Sequence, residues 1–351
     1  MTADPMSPQD LSCPVPVSET EQVLLGHGAG GRLSAELLDG LVLPALGTPP
    51  GVLEDAAVLP GLPELVVSTD GFVVSPLFFP GGDIGSLAVH GTVNDLAMRG
   101  AVPVALSVAL VIEEGLPMNE LRAVVDSLGK AAREADVPVI TGDTKVVGRG
   151  AADKVFITTT GIGRRIPGLA PSAARARPGD AVLLSGPIGL HGTAVLSTRE
   201  GLGFEADIAS DTGPLHRLVR GLAGLGTDLH VLRDPTRGGL AASLNEIARD
   251  SAVQVEIDET TVPVPAPVAS ACDLLGLDPL HVANEGCLVA FVTPDAADAA
   301  LDAMRGLSEG AHAVRIGEVV AGQAGRVVMR TLVGARRVVD LPVGEQLPRI
   351  C

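Results

Sequence analysis

Glycine and proline interrupt this chain about once every five positions, with 43 Gly and 27 Pro in 351 residues. Each one weakens the interior of a helix or strand. That content is high for a helical bundle and suits many strand-to-helix turns where backbone approaches a ligand. Hydrophobic residues make up 46% of it and mean hydropathy is +0.37, enough for a sizeable core in one large domain or two to three smaller ones. There are six Phe but no Trp or Tyr, so the rings that usually stack on bases and sugars are scarce. With 25 basic against 42 acidic residues the net charge is −17, which argues against a nucleic-acid partner. The best apolar run, residues 101–112, is broken by Pro103 and Ser107 and is too short to cross a membrane. Residues 1–20 carry acids, four prolines and no basic cluster, unlike a secretory signal. Cys13, Cys272, Cys287 and Cys351 have neither zinc spacing nor disulfide density. A soluble cytoplasmic protein is expected.

Residues 1–21 read as a loose arm. From 22 to 165, strand and helix signals alternate. Residues 65–75 are β-rich, Asp83 is placed to N-cap a helix, 102–112 reads as a buried strand, 117–135 as an amphipathic helix and 154–162 as another strand. Residues 166–179 read as a linker. A second α/β unit spans 180–340, with strands near 181–185, 229–232, 253–257, 288–292 and 313–319. Residues 341–351, with Pro342, Gly344 and Pro348, read as a mobile tail.

Between residues 52 and 113 there are seven acids and one base, Arg99. Asp55, Asp70, Asp83 and Asp95 stand alone among Gly, Thr, Asn and aliphatic residues, and Asp143 and Asp234 recur later in similar settings. Any one of them suits a cap or turn. All six together suit a hard divalent cation shared with phosphates. Residues 26–31 match G-x-G-x-x-G, but only Val23-Leu24-Leu25 precedes them as a strand, a weak dinucleotide signal. Residues 186–191 lack the Lys of a Walker A loop. His191 and His281 read as core or turn residues, whereas His27 and His90 sit where a ligand could be touched. Cys351, the last residue, lies on a tail that spans roughly 36 Å when extended, which suits a swinging thiol loaded by a partner better than a self-activated nucleophile.

Thr69-Asp70-Gly71-Phe72, residues 76–85, His90-Gly91-Thr92-Val93-Asn94-Asp95-Leu96, residues 141–147, residues 233–240, Ala283-Asn284-Glu285-Gly286 and Pro348-Arg349-Ile350-Cys351 closely resemble the HypE family of hydrogenase maturation proteins. The resemblance covers about residues 22–351. Some of its elements are shared with aminoimidazole ribonucleotide synthetase, selenophosphate synthetase and thiamine-monophosphate kinase, while the Pro-Arg-Ile-Cys ending is specific. It implies a two-domain α/β (α+β) fold of the aminoimidazole ribonucleotide synthetase type, a homodimer formed through the N-terminal sheet, and ATP bound between the domains. It also implies that a carbamoyl group, placed on Cys351 by the carbamoyltransferase HypF, is dehydrated with ATP to a thiocyanate. The cyanide then passes to iron on a HypC–HypD scaffold for the NiFe hydrogenase centre.

By this resemblance Asp55, Asp95 and Asp234 hold Mg²⁺, with Asp143 as a further ligand. Asp70, Asp83, His90, Asn94, Thr144 and Arg349 face ATP. Cys351 carries the reacting group, and Lys145 and Glu285 deprotonate it or polarise its oxygen; Lys145 could equally clamp a phosphate. The rival readings are a small-molecule synthetase or kinase of the same superfamily, a non-catalytic carrier, and a nicotinamide-dependent oxidoreductase.

Overall fold

The computed structural model describes residues 31–37, 39, 57–59, 64–201, 208–341, 347 and 349–351. Asp55 and His27 lie outside them. The first sheet has five strands: β1 (Ala57–Leu59), β2 (Leu65–Phe72), β5 (Ala101–Glu113), β6 (Val139–Val147) and β7 (Val155–Arg165), in the order β1-β2-β7-β5-β6. Only the β5–β6 pair is parallel. A two-stranded ribbon, β3 (Phe78–Phe79) with β4 (Gly82–Asp83), leads into the main helix. A short helix, α1 (Arg32–Leu37), precedes the sheet.

That helix, α2 (Ile84–Met98), is buried almost all round. Asp83 caps it as expected, accepting from the backbone N–H groups of Gly85 (2.7 Å) and Ser86 (3.0 Å), while the Ser86 side chain returns a bond to the Asp83 backbone. One flank of α2 covers β2, β7 and β5, and the amphipathic helix α3 (Met118–Glu134) packs against α2 from outside. Ile84, Leu87, Val89 and Val93 join Phe72, Val108 and Ile157 in the first core. A helix apolar on every side needs a second partner. It finds one where Ala97 and Met98 enter the core of the second unit.

The second sheet has seven strands: β8 (Ala181–Leu184), β9 (Leu229–Arg233), β10 (Gln254–Asp258), β11 (Val289–Val292), β12 (Val314–Val320), β13 (Arg326–Arg330) and β14 (Arg336–Val338). Their order is β14-β13-β10-β12-β8-β11-β9. Five helices surround it: α4 (Leu190–Glu200), α5 (His216–Gly221), α6 (Gly239–Asp250), α7 (Ala266–Leu275) and α8 (Ala297–Arg305). β8 and β11 are buried on both faces and read as continuous apolar runs. β6, β13 and β14 were not anticipated as strands. β6 is exposed along nearly its whole length and β14 throughout, so neither carries an alternating pattern.

Candidate active site

Four segments converge between the two units, each held by hydrogen bonds. The first is β2, where Ser68 donates to Asp95 of α2 (2.6 Å) and Asp70 stands two residues on. The second is loop 208–213, whose Ser210 N–H donates to the carbonyl of Pro80 (2.7 Å). The third is loop 234–237 and the fourth the Asn284-Glu285-Gly286 turn. Asn284 is fully buried and ties three places together: it accepts from Gly189 at the start of α4 (2.7 Å) and donates to the carbonyls of Pro235 (2.9 Å) and Val282 (3.1 Å). Asp211 accepts from the N–H groups of Glu285 (3.1 Å) and Gly286 (3.0 Å). Gly286 is obligatory there, because a Cβ would run into the Asp211 carbonyl.

The tail completes the site. The N–H of Val73 donates to the Cys351 carbonyl (3.1 Å) and that of Ser75 to the Arg349 carbonyl (3.2 Å), an antiparallel register that continues beyond the end of β2. Ile350 is 4% exposed in the first core. Leu347 sits among Val268, Ala271, Cys272 and Val282, where Gly192 leaves it room: a Cβ on Gly192 would lie 3.0 Å from Leu347 Cδ1 and 2.6 Å from Val282 Cγ1. Leu347 and Ile350 are thus two apolar anchors for the tail.

The Cys351 thiol is pushed up to about 12, chiefly by burial, with Arg237 opposing and Glu285, Asp70 and Asp95 adding to the rise. Burial also lifts Glu285 well above the usual carboxylate range, reinforced by Asp234, Asp211 and Asp70 and opposed by Arg237. Asp70 is raised and Asp211 is pushed up to about 6, both mainly by burial. Acids thus surround the thiol electrostatically, with Arg237 as the cation among them. Among the described residues no three His, Cys, Asp or Glu groups form a cage able to hold a metal unaided. A hard cation here would need oxygens from another source, as Mg²⁺ does when it shares phosphates.

Of the residues singled out from sequence, Asp70, Asp95, Asp234, Glu285 and Cys351 are brought together. Asn94 is 1% exposed, and its amide is taken up by the carbonyls of Gly213 (3.0 Å) and Glu285 (3.3 Å) and the N–H of Leu215 (2.8 Å). It braces the site from below. Asp83 is the α2 cap. His90 is buried and held neutral, its pKa lowered to about 4 mainly by burial; its Nε2 meets no partner among the described residues. Arg349 serves the tail, donating to the Val73 carbonyl (2.9 Å) and pairing with Asp153 (2.6 Å).

Asp143, Thr144 and Lys145 are not brought in. They lie on β6, where Lys145 pairs with Asp143 at 3.0 Å. In register, Thr144 stands opposite Leu110, which stands opposite Ile157, which stands opposite Phe72. Three strand spacings make about 14 Å. Asp70 shares its row with Gly142 through Thr159 and Val108, so Asp143 and Lys145, odd steps away, face the side of the sheet opposite Asp70. Arg237, Asp211 and His191 were missed as site residues. Arg237 lay within the 233–240 motif; nothing local distinguished the other two.

The family model "AIR synthase related protein, N-terminal domain" matches residues 53–165, and "AIR synthase related protein, C-terminal domain" matches 177–330. "Carbamoyl dehydratase HypE" of Rhizobium leguminosarum bv. viciae is 54% identical over 331 residues, covering 93% of this chain and 94% of the relative. "Crystal Structure of Hydrogenase Maturation Protein HypE in complex with ATP" is 52% identical with a TM-score of 0.80, covering 94% of this chain and all of that one. "Crystal structure of HypE-HypF complex" is 47% identical with a TM-score of 0.84, covering 87% of this chain and 99% of that one. The chain belongs to the HypE family of AIR synthase-related proteins.

Proposed function

We propose that this protein is an ATP-dependent carbamoyl dehydratase acting on a carbamoyl group carried by its own Cys351. The observation that carries the reading is the docked tail, which delivers Cys351 to Glu285, Asp70, Asp95 and Arg237 between the two units. A thiol held at about 12 is a poor nucleophile in this position, so the group is loaded elsewhere, by a carbamoyltransferase of the HypF kind, and then brought in.

The amide oxygen of a thiocarboxamide is a poor leaving group. Phosphorylating it with ATP and removing two N–H protons yields a thiocyanate, ADP and phosphate. Glu285, buried and of raised basicity, is placed to take up a proton. Arg237 offsets the negative charge that develops on oxygen. Asp95 and Asp234 would hold Mg²⁺ jointly with the nucleotide phosphates, and that ion supplies charge neutralisation for phosphoryl transfer. The cyanide would pass to an iron scaffold of the HypC–HypD kind, for a NiFe hydrogenase.

The protein acts as a homodimer in this reading. β6 and the sheet face opposite α2 carry exposed apolar and polar side chains, including Val139, Ile140, Val146 and Lys145. A second copy covering that face would receive Asp143 and Lys145, which their own chain's Cys351 cannot reach. Incubating the protein with HypF, carbamoyl phosphate and ATP tests the function: ADP should form in step with carbamoylation of Cys351. The Leu347–Cys351 deletion should abolish that ADP.

A further inference from the structure

The last three carbonyls of the chain are each held, from alternating sides. Those of Arg349 and Cys351 accept from the backbone of Ser75 and Val73, in the first unit. The carbonyl of Ile350 accepts from His191 Nε2 at 2.7 Å, in the second unit. Arg199 reaches across, donating through Nη2 to the Arg349 carbonyl (2.8 Å) and through Nε to the Ser75 carbonyl (2.7 Å). His191 and Arg199 both stand on α4. Arg349 itself is in the left-handed region (φ 50°), a conformation that is unfavourable for a non-glycine residue and persists only where its surroundings impose it.

The proton on His191 is fixed by its neighbours. The Ile350 carbonyl can only accept, so Nε2 of the neutral ring holds the proton and Nδ1 takes the O–H of Ser210 (2.8 Å), whose Oγ in turn accepts the N–H of Thr212 (3.0 Å). The ring is fully buried in the first turn of α4 and stands edge-on to Phe79 at 5.3 Å, an environment that keeps it neutral. A neutral ring locked as a donor to the Ile350 carbonyl, one residue before the thiol, is more than core filling.

We propose that His191 and Arg199 form a carbonyl clamp on α4 that places the Cys351 thiol in the site, acting as positioning residues for its reaction. The clamp grips main chain, so it acts whether or not the thiol bears a group, while Leu347 and Ile350 supply the side-chain anchors. The role in turnover rests on the dehydratase reading above; the seating of Cys351 does not.

The test is alkylation of Cys351 in the full-length unloaded protein, read at that residue by mass spectrometry, beside single-turnover dehydration of the carbamoylated form. His191→Phe keeps a ring against Phe79 but cannot donate, whereas His191→Gln retains a side-chain N–H. His191→Phe is expected to raise the alkylation rate about tenfold or more and slow dehydration to match, with ATP affinity unchanged; His191→Gln should stay near wild type. Arg199→Gln, on a half-buried side chain, should show the same trend as His191→Phe and serves if that variant does not fold. Alkylation at the wild-type rate in both His191→Phe and Arg199→Gln, or equal effects of Phe and Gln at 191, would overturn the clamp. Absence of dehydration in the wild-type protein would remove the dehydratase reading, and the alkylation rates would still decide the clamp.

Discussion

Ile350→Ala isolates the energy that holds the tail in place. Ile350 is 4% exposed and lies in the first core with Phe72, Val195 and Ala283. Truncating a buried Ile to Ala typically costs about 2–4 kcal/mol, part transfer and part cavity. This residue becomes buried only when the tail docks, so nearly all of that cost falls on the docking equilibrium. At 1.4 kcal/mol per decade the docked-to-undocked ratio should fall by roughly 30- to 700-fold. Alkylation near pH 8 reports the undocked fraction. The docked thiol sits at about 12 and is almost wholly protonated, whereas a free thiol near 8.5 supplies abundant thiolate. Labelling at Cys351 should accelerate by at least about tenfold, while the thermal midpoint of the two units stays close to wild type. Labelling at the wild-type rate would refute the premise that burial of Ile350 holds the tail.

Asp95→Asn and Asp234→Asn should each depress Mg²⁺-ATP-dependent ADP release while leaving the fold intact; unchanged ADP release would remove them as metal ligands. Lys145→Ala and Cys351→Ala should each be inactive alone yet regain activity when mixed and allowed to exchange subunits, since Lys145 lies on the outer strand, on the sheet face opposite Asp70. No recovery in the mixed sample would contradict service in trans. His90 has a folded-state pKa of about 4, lowered by burial against the pull of Glu134, so the unfolded chain takes up its proton first as pH falls below about 6.5. Its contribution is complete above that value and is lost towards pH 4. Relative to His90→Asn, the wild type should therefore lose about 2 kcal/mol between pH 7 and pH 5 in urea unfolding, and a constant difference would show that His90 is not held neutral.

How far the sequence reveals this architecture depends on burial. β8 and β11 are buried on both faces, and their apolar runs stand out. Asp83 announces α2 because a capping box is a local signal. β6 is hidden by the same reasoning: with eight of its nine residues exposed and Gly142, Asp143 and Lys145 in its middle, it lacks the half-buried alternation by which strands are recognised. The acids at the site are legible because isolated carboxylates in apolar sequence need a partner. Asp211 and His191 are not, since their roles come from contacts 74 and 159 residues away, with Glu285 and Ile350. Arg349 shows the limit of motif reading. Its place in the ending was plain, yet it faces Asp153 and the Val73 carbonyl, and it secures the chain that carries the thiol.

The central claim is that Cys351 carries the group that is dehydrated. Intact-mass measurement of the full-length protein after incubation with HypF and carbamoyl phosphate, and then with Mg²⁺-ATP, addresses it directly. The account predicts the gain of one carbamoyl group at Cys351, followed on addition of ATP by the loss of one water from that same residue. A carbamoyl adduct that persists unchanged while ATP is present, or a modification that maps to any residue other than Cys351, would contradict it.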